Sequence, residues 1–162
     1  MAKKSAKNMS KIYVLIGIIA LALALVAMVF PMFVSTTTFL GVTSSTSASF
    51  FDMLELVFDP DLSIAFDKGM PMVGYLVMEI VAVASIVLGL LAFLGGKSKA
   101  LKTAVKILAI VVALFAIVAL IFSFVYVGDG GAVWTLSVGA FPILASLFGL
   151  VGAGALIAGT YK

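Results

Sequence analysis

Along most of this chain apolar and polar residues do not alternate. Apolar residues come instead in four long runs. The first covers about residues 12–34 (IYVLIGIIALALALVAMVFPMFV), the second 72–94, the third 107–127 (ILAIVVALFAIVALIFSFVYV) and the fourth 132–158. A bilayer core is crossed by about 20 apolar residues in helical form. Helix is the conformation expected of each run, because hydrocarbon offers no partner to an exposed backbone amide. Barrel strands would alternate in polarity, and these runs do not. The pattern predicts an all-α membrane protein, one domain built as a four-transmembrane-helix bundle. The first run follows Lys3, Lys4, Lys7 and Lys11, as the apolar stretch of a secretory signal does. It continues well beyond the cleavage-like spacing Ala22-Leu23-Ala24 and is expected to stay as a span.

The connections carry their own patterns. The long one, 35–71, opens with STTTFLGVTSSTSAS, which reads as irregular chain or a short hairpin. SFFDMLELVFDPD follows. Ser49 and Asp52 have the spacing of a capping box. Phe50, Met53, Leu54, Val57 and Phe58 recur at helical spacing, with Asp52, Glu55 and Asp59 on another face. Pro60 ends the element. A short amphipathic helix before the second span is predicted, lying at the membrane interface. Phe50, Phe51, Leu54, Val57 and Phe58 are its candidate interaction surface. Pro71 suits the first turn of the second span. The GDGGA stretch, 128–132, reads as a tight turn that makes the third and fourth spans a hairpin. Tyr126 and Trp134 stand at its shoulders, where amphipathic rings favour the membrane interface.

Charge sets the orientation. Lys3, Lys4, Lys7 and Lys11, then Lys97, Lys99, Lys102 and Lys106, then Lys162, all fall on one side of a four-span chain. Asp52, Glu55, Asp59, Asp61, Asp67 and Asp129 fall on the other, with Lys68. The positive-inside rule puts both termini and the 95–106 loop in the cytoplasm, and the 35–71 loop outside a cell membrane. The basic segments would also favour anionic lipid head groups. With 64% hydrophobic and 10% charged residues, the chain is far from a soluble composition. Cys and His are absent, and so is Arg. That removes thiol chemistry, disulfides and the usual neutral-pH base. No metal constellation, cofactor motif or nucleic-acid patch is present; GGKSK at Gly95 lacks the upstream glycine of a phosphate loop. An enzyme is not expected.

Glu79 is the one charged residue within the runs, about 10 Å below the outer end at 1.5 Å per residue. An acid there costs a few kcal/mol on insertion scales. It is expected to be protonated, to face the bundle, or both, with Tyr75 one turn away and the hydroxyls of Ser123 and Ser137 at similar depth as partners for a neutral carboxyl group. A structural tie between helices is the leading reading, and a proton- or cation-binding site the alternative. Small residues recur in ASLFGLVGAGALIAG, and Gly149, Gly152 and Ala153 mark a close helix contact, inside the bundle or between copies.

In layout the chain resembles the claudin-type tetraspans: cytoplasmic termini, a long first outer loop with a helix before the second span, and a short second outer loop. The paired tryptophans and two cysteines of that family's first outer loop are absent, so its adhesion and ion selectivity do not carry over. The chain also resembles small uncharacterised four-span proteins of bacteria, which often end in an apolar, Gly-rich helix like GAFPILASLFGLVGAGALIAG. Small multidrug exporters share four spans and a membrane glutamate, but theirs lies in the first helix and their loops are short. Together these features point to a scaffolding or accessory membrane subunit, with lipids and a homo-oligomer or other membrane-protein subunits as partners. A small transporter or channel subunit using Glu79 is the second expectation.

Overall fold

The computed structural model describes residues 2–58, 66–95, 98–127 and 134–160, and of these all side chains except those at 2–9, 56, 57, 66–70, 126 and 134. In chain order the elements are α1 (Ala2–Val26), β1 (Pro31–Phe39), β2 (Val42–Ser49), α2 (Phe50–Phe58), α3 (Phe66–Leu94), α4 (Lys99–Tyr126), β3 (Trp134–Val138) and α5 (Ala140–Thr160). A 3-10 turn, Ala27–Val29, finishes α1. Four helical segments are long and apolar enough to cross a membrane: Ser10–Val29, Pro71–Leu94, Lys99–Val125 and Ala140–Thr160. They form a ring in which α1 packs on α5, α5 on α4, α4 on α3, and α3 more loosely on α1.

The architecture is not all-α. Beyond one end of the bundle lies an antiparallel sheet in the order β2-β1-β3. Its composition explains it: STTT and VTSSTS are β-branched and hydroxyl-bearing residues, poor in helices and good on a pleated surface. β1 and β2 form a hairpin with Phe39 opposite Val42. Two expected span boundaries change with the sheet. Pro31 cannot continue a helix, so the first span stops at Val29 and residues 31–34 open β1. The fourth span was expected from 132, but Trp134–Val138 pairs with β1 and α5 begins only at Ala140. The expected 95–106 loop is also shorter, because helix α4 already starts at Lys99. Pro71 sits inside α3, a full turn and more after its start at Phe66. The 128–132 turn and the stop at Pro60 lie outside the described residues, as do the side chains of Tyr126, Trp134 and Val57.

Helix packing rests on backbone proximity. A Cβ added at Gly152 would meet Leu21 Cγ at 2.7 Å, and one at Gly17 would meet Leu156 Cγ at 2.7 Å. Each glycine is the hole for the other helix's leucine, so α1 and α5 lie almost backbone to backbone. Gly159 receives Val14 in the same way, and Gly149 faces Met78 and Ala116. Gly149, Gly152 and Ala153 are all buried against other helices of the same chain. Of the two arrangements open at the outset, the small-residue face is used inside the bundle. In lipid, such close van der Waals packing replaces the hydrophobic drive that water would supply.

Gly139 joins β3 to α5 at the tightest point. Its N–H donates to Met32 O at 2.8 Å, and a Cβ there would lie 2.1 Å from Pro31 O. Neither atom is the end of a flexible side chain. Gly139→Ala should therefore lower the melting temperature, by the ~1–3 kcal/mol or more of an overpacked site. Gly154→Ala has open space around it and should be neutral, because nothing lies within 4 Å. Equal melting temperatures for the two variants would contradict this packing.

α2 starts as its capping box requires. Ser49 N–H and Oγ–H donate to Asp52 Oδ2 at 2.8 and 2.7 Å, and Asp52 N–H donates to Ser49 Oγ at 3.2 Å. These bonds hold the Asp52 carboxyl below its ordinary value of 3.8. A group with a lowered folded-state value stabilises above the unfolded value and loses that contribution as pH falls through the folded one. Acidification from neutral to below about pH 4 should fray the start of α2, read by amide exchange at Asp52 and Met53. Asp52→Asn should flatten the pH dependence of that exchange protection.

Candidate functional site

The site is assembled where the sheet and α2 rest on the bundle. α2 contributes Phe50, which is fully buried and whose ring centroid lies 5.2 Å from Phe141 on α5. Phe141 in turn lies 4.9 Å from Tyr75 on α3. Both pairs are tilted, as aromatic quadrupoles prefer. The column Phe50–Phe141–Tyr75 thus carries α2 onto α5 and α3. Phe51 packs edge-on against Phe50 at 5.6 Å yet is itself largely exposed.

The polar end of the column is a three-helix knot. The Tyr75 hydroxyl donates to Pro142 O at 3.0 Å and stands 3.0 Å from Ser146 Oγ. The Ser146 hydroxyl donates to Ala116 O on α4 at 3.0 Å. Two hydroxyl protons serve three contacts on α3, α4 and α5. All four residues contributing a side chain or carbonyl here are buried: Tyr75, Pro142, Ser146 and Ala116.

Glu79 lies one turn deeper on α3, 4% exposed. Neither Oε1 nor Oε2 has a hydrogen-bond partner. The two hydroxyls expected to meet it are engaged elsewhere. Ser123 Oγ–H donates to Ala119 O of its own helix at 2.8 Å, the back-bonding usual for serine in an apolar helix. Ser137 is not in the bundle; it lies on β3, where its hydroxyl donates to Val34 O at 3.1 Å. Tyr75 does share the site, and Glu79 and Ser123 both lie within electrostatic reach of its hydroxyl. The hydroxyl that does tie the helices, Ser146, could have been found from its place on α5, three residues before Gly149 on the small-residue face. Among the described residues no group of His, Cys, Asp or Glu could hold a metal ion.

The exposed surface of α2 differs from the expected one. Phe50 is an anchor and is closed to a partner, while Phe51 and Phe58 are exposed and Leu54 is half-buried. A pocket of about 250 Å³ lies between sheet and α2, lined by Phe33, Ser35, Thr46, Ala48, Met53 and Leu136 among others. The most exposed apolar group is the hairpin tip. Phe39, Leu40 and Val42 all project, and Leu40 is 88% exposed. Leu40 and Gly41 have φ of +48° and +80°, the geometry of a two-residue type I′ turn. Asn, Asp or Gly are the residues suited to the first position, and a leucine there is strained by about 1–2 kcal/mol.

No known protein family, curated protein or solved structure matches the chain, so its function is argued from this geometry.

The knot and the acid make opposite forecasts. Tyr75→Phe and Ser146→Ala should each destabilise by about 0.6–2 kcal/mol, the range for hydrogen bonds between membrane helices. The double variant should cost less than the sum, because the two share contacts. Glu79→Leu removes no protein hydrogen bond and should leave stability unchanged or raise it. Steric-trap or denaturant unfolding in micelles measures all four; a loss at Glu79→Leu as large as at Tyr75→Phe would show that the acid is a structural tie.

Proposed function

We propose that the protein is a non-enzymatic integral membrane scaffold or accessory subunit. It joins copies of itself or other membrane-protein subunits through its outer module. The lysine segregation supports a cell membrane with both termini cytoplasmic and the sheet outside; lysine used without arginine fits a bacterial membrane. The observation that carries the reading is Leu40. A strained, almost fully exposed leucine stabilises nothing in its own fold, and polar turn residues would fit better. Local rules broken without a structural return mark functional positions. With Phe39 and Val42 it forms an uncharged apolar knob, the kind of surface that a partner covers. The face formed by Gly149, Gly152 and Ala153 is occupied within the chain, so the outer module is the surface this reading assigns to assembly.

Leu40→Asn separates folding from assembly. It relieves the turn and removes the knob, so melting temperature should stay or rise while the particle mass after gentle native purification falls. An unchanged mass, or a wild type that is already a lone chain, would sink the reading.

One observation favours a second reading, a small transporter or channel subunit: both oxygens of Glu79 are buried and unpartnered. Such groups are costly, about 1–3 kcal/mol or more, and call for an occupant such as water, a proton or an ion. In liposomes, Glu79→Gln should then abolish a pH-driven flux that the wild type shows; no flux in either protein removes this alternative.

A further inference from the structure

We propose that the α1/α3 seam, at the lysine-bearing end of the bundle, binds one anionic phospholipid. This inference does not rest on the outer module. The seam is the loosest of the four helix contacts. Halfway along it is closed: a Cβ at Gly89 would sit 3.3 Å from Ile18 Cγ1. Toward the lysine end it opens into a groove of about 350 Å³ lined by Lys11, Ile12, Leu15 and Phe93. That volume falls within the roughly 300–1,000 Å³ of small-ligand sites. Ile12 and Leu15 are exposed, so the groove is continuous with the lipid-facing surface of the span and accepts an acyl chain from the side.

Lys11 is placed at the groove's mouth. Its Nζ lies 5.4 Å from the Phe93 ring centroid, a cation–π contact across the seam from α1 to α3. The contact fixes the ammonium beside the groove without neutralising it. Among the described residues no carboxylate shares that end: Asp52 and Glu55 lie on α2 beside the sheet, and Glu79 is buried inside the bundle. Positions 4, 7 and 11 of α1 recur at three- and four-residue spacing and so share one face of the helix. An apolar slot at membrane depth, ending in an unneutralised cation at head-group level, is complementary to a phosphodiester with its acyl chain. Basic pockets between spans recognise lipid head groups by this chemistry.

Native mass spectrometry tests the site. The full chain in zwitterionic micelles is titrated with phosphatidylglycerol or with phosphatidylcholine of the same acyl chains. One phosphatidylglycerol should bind more tightly than phosphatidylcholine. Lys11→Gln should weaken it about five-fold, the factor that corresponds to about 1 kcal/mol per lysine near a membrane surface. Phe93→Leu keeps the groove apolar but frees the ammonium, and should give a smaller loss. Lys99→Gln, at the exposed start of α4, should leave the preference intact. Equal affinity for the two lipids overturns the proposal. So does an equal loss in Lys11→Gln and Lys99→Gln, which would reduce the effect to diffuse surface charge. Displacement by inorganic phosphate at constant ionic strength would assign the site to a soluble anion and overturn it as well. Lys11 is exposed, so both lysine variants should melt like the wild type without lipid.

Discussion

The module of sheet and α2 and the helix bundle are one structure because Phe141 is sandwiched between Phe50 and Tyr75. Without that column α2 would have no reason to lie on the spans, and β2, which runs directly into α2, would lose its anchor. The column ends in the Tyr75 hydroxyl, whose contacts with Pro142 and Ser146 tie α3 to α5. Beneath it the bundle is held by a different device, leucines seated on glycines of the facing helix. Aromatic area thus joins the aqueous part to the membrane part, and backbone proximity joins the membrane part to itself. The division follows from the two solvents. Water rewards burial of rings, whereas lipid rewards only contact closer than a lipid tail can make.

Two positions depart from what local physics favours, and they lie on opposite sides of that column. Leu40 occupies a turn position suited to Asn or Gly and is held out into solvent. Glu79 holds a carboxyl inside the bundle with no protein partner. Each has a cost and no visible return within the chain, and each therefore carries one of the two functional readings. They are not in conflict with the rest of the fold. The apolar knob sits at the end of a well-paired ladder, and the acid sits one turn from a satisfied polar knot.

The four spans were legible from their unbroken apolar runs, because lipid leaves helix as the only way to satisfy a backbone in a run of that kind. The start of α2 was legible from Ser49 and Asp52, since capping is a contact between residues three apart. The sheet was not. WTLSV does alternate, and it is bounded by Gly139, but it is embedded in an apolar stretch long enough to pass for a helix. Its strand state depends on β1, which is about a hundred residues away in sequence. The partners of Glu79 were unreadable for the same reason. Depth along a span says which residues share a level, not which of them turn toward one another, and Ser123 satisfies itself within its own helix.

Composition and periodicity alone therefore determined that the chain forms four helices long and apolar enough to cross a membrane, and that it carries no Cys, His or Arg. Only the tertiary structure decided that Phe50 is an anchor while Leu40 is a knob, that Gly149, Gly152 and Gly159 of α5 are covered by neighbouring helices while Gly154 is open, and that the Glu79 carboxyl has no hydrogen-bond partner. The physical reason is range. Solvent preference and capping act on neighbouring residues and leave a local pattern, whereas a filled hole, a shared hydroxyl or an unpaired carboxyl exists only once distant segments are brought within a few ångströms.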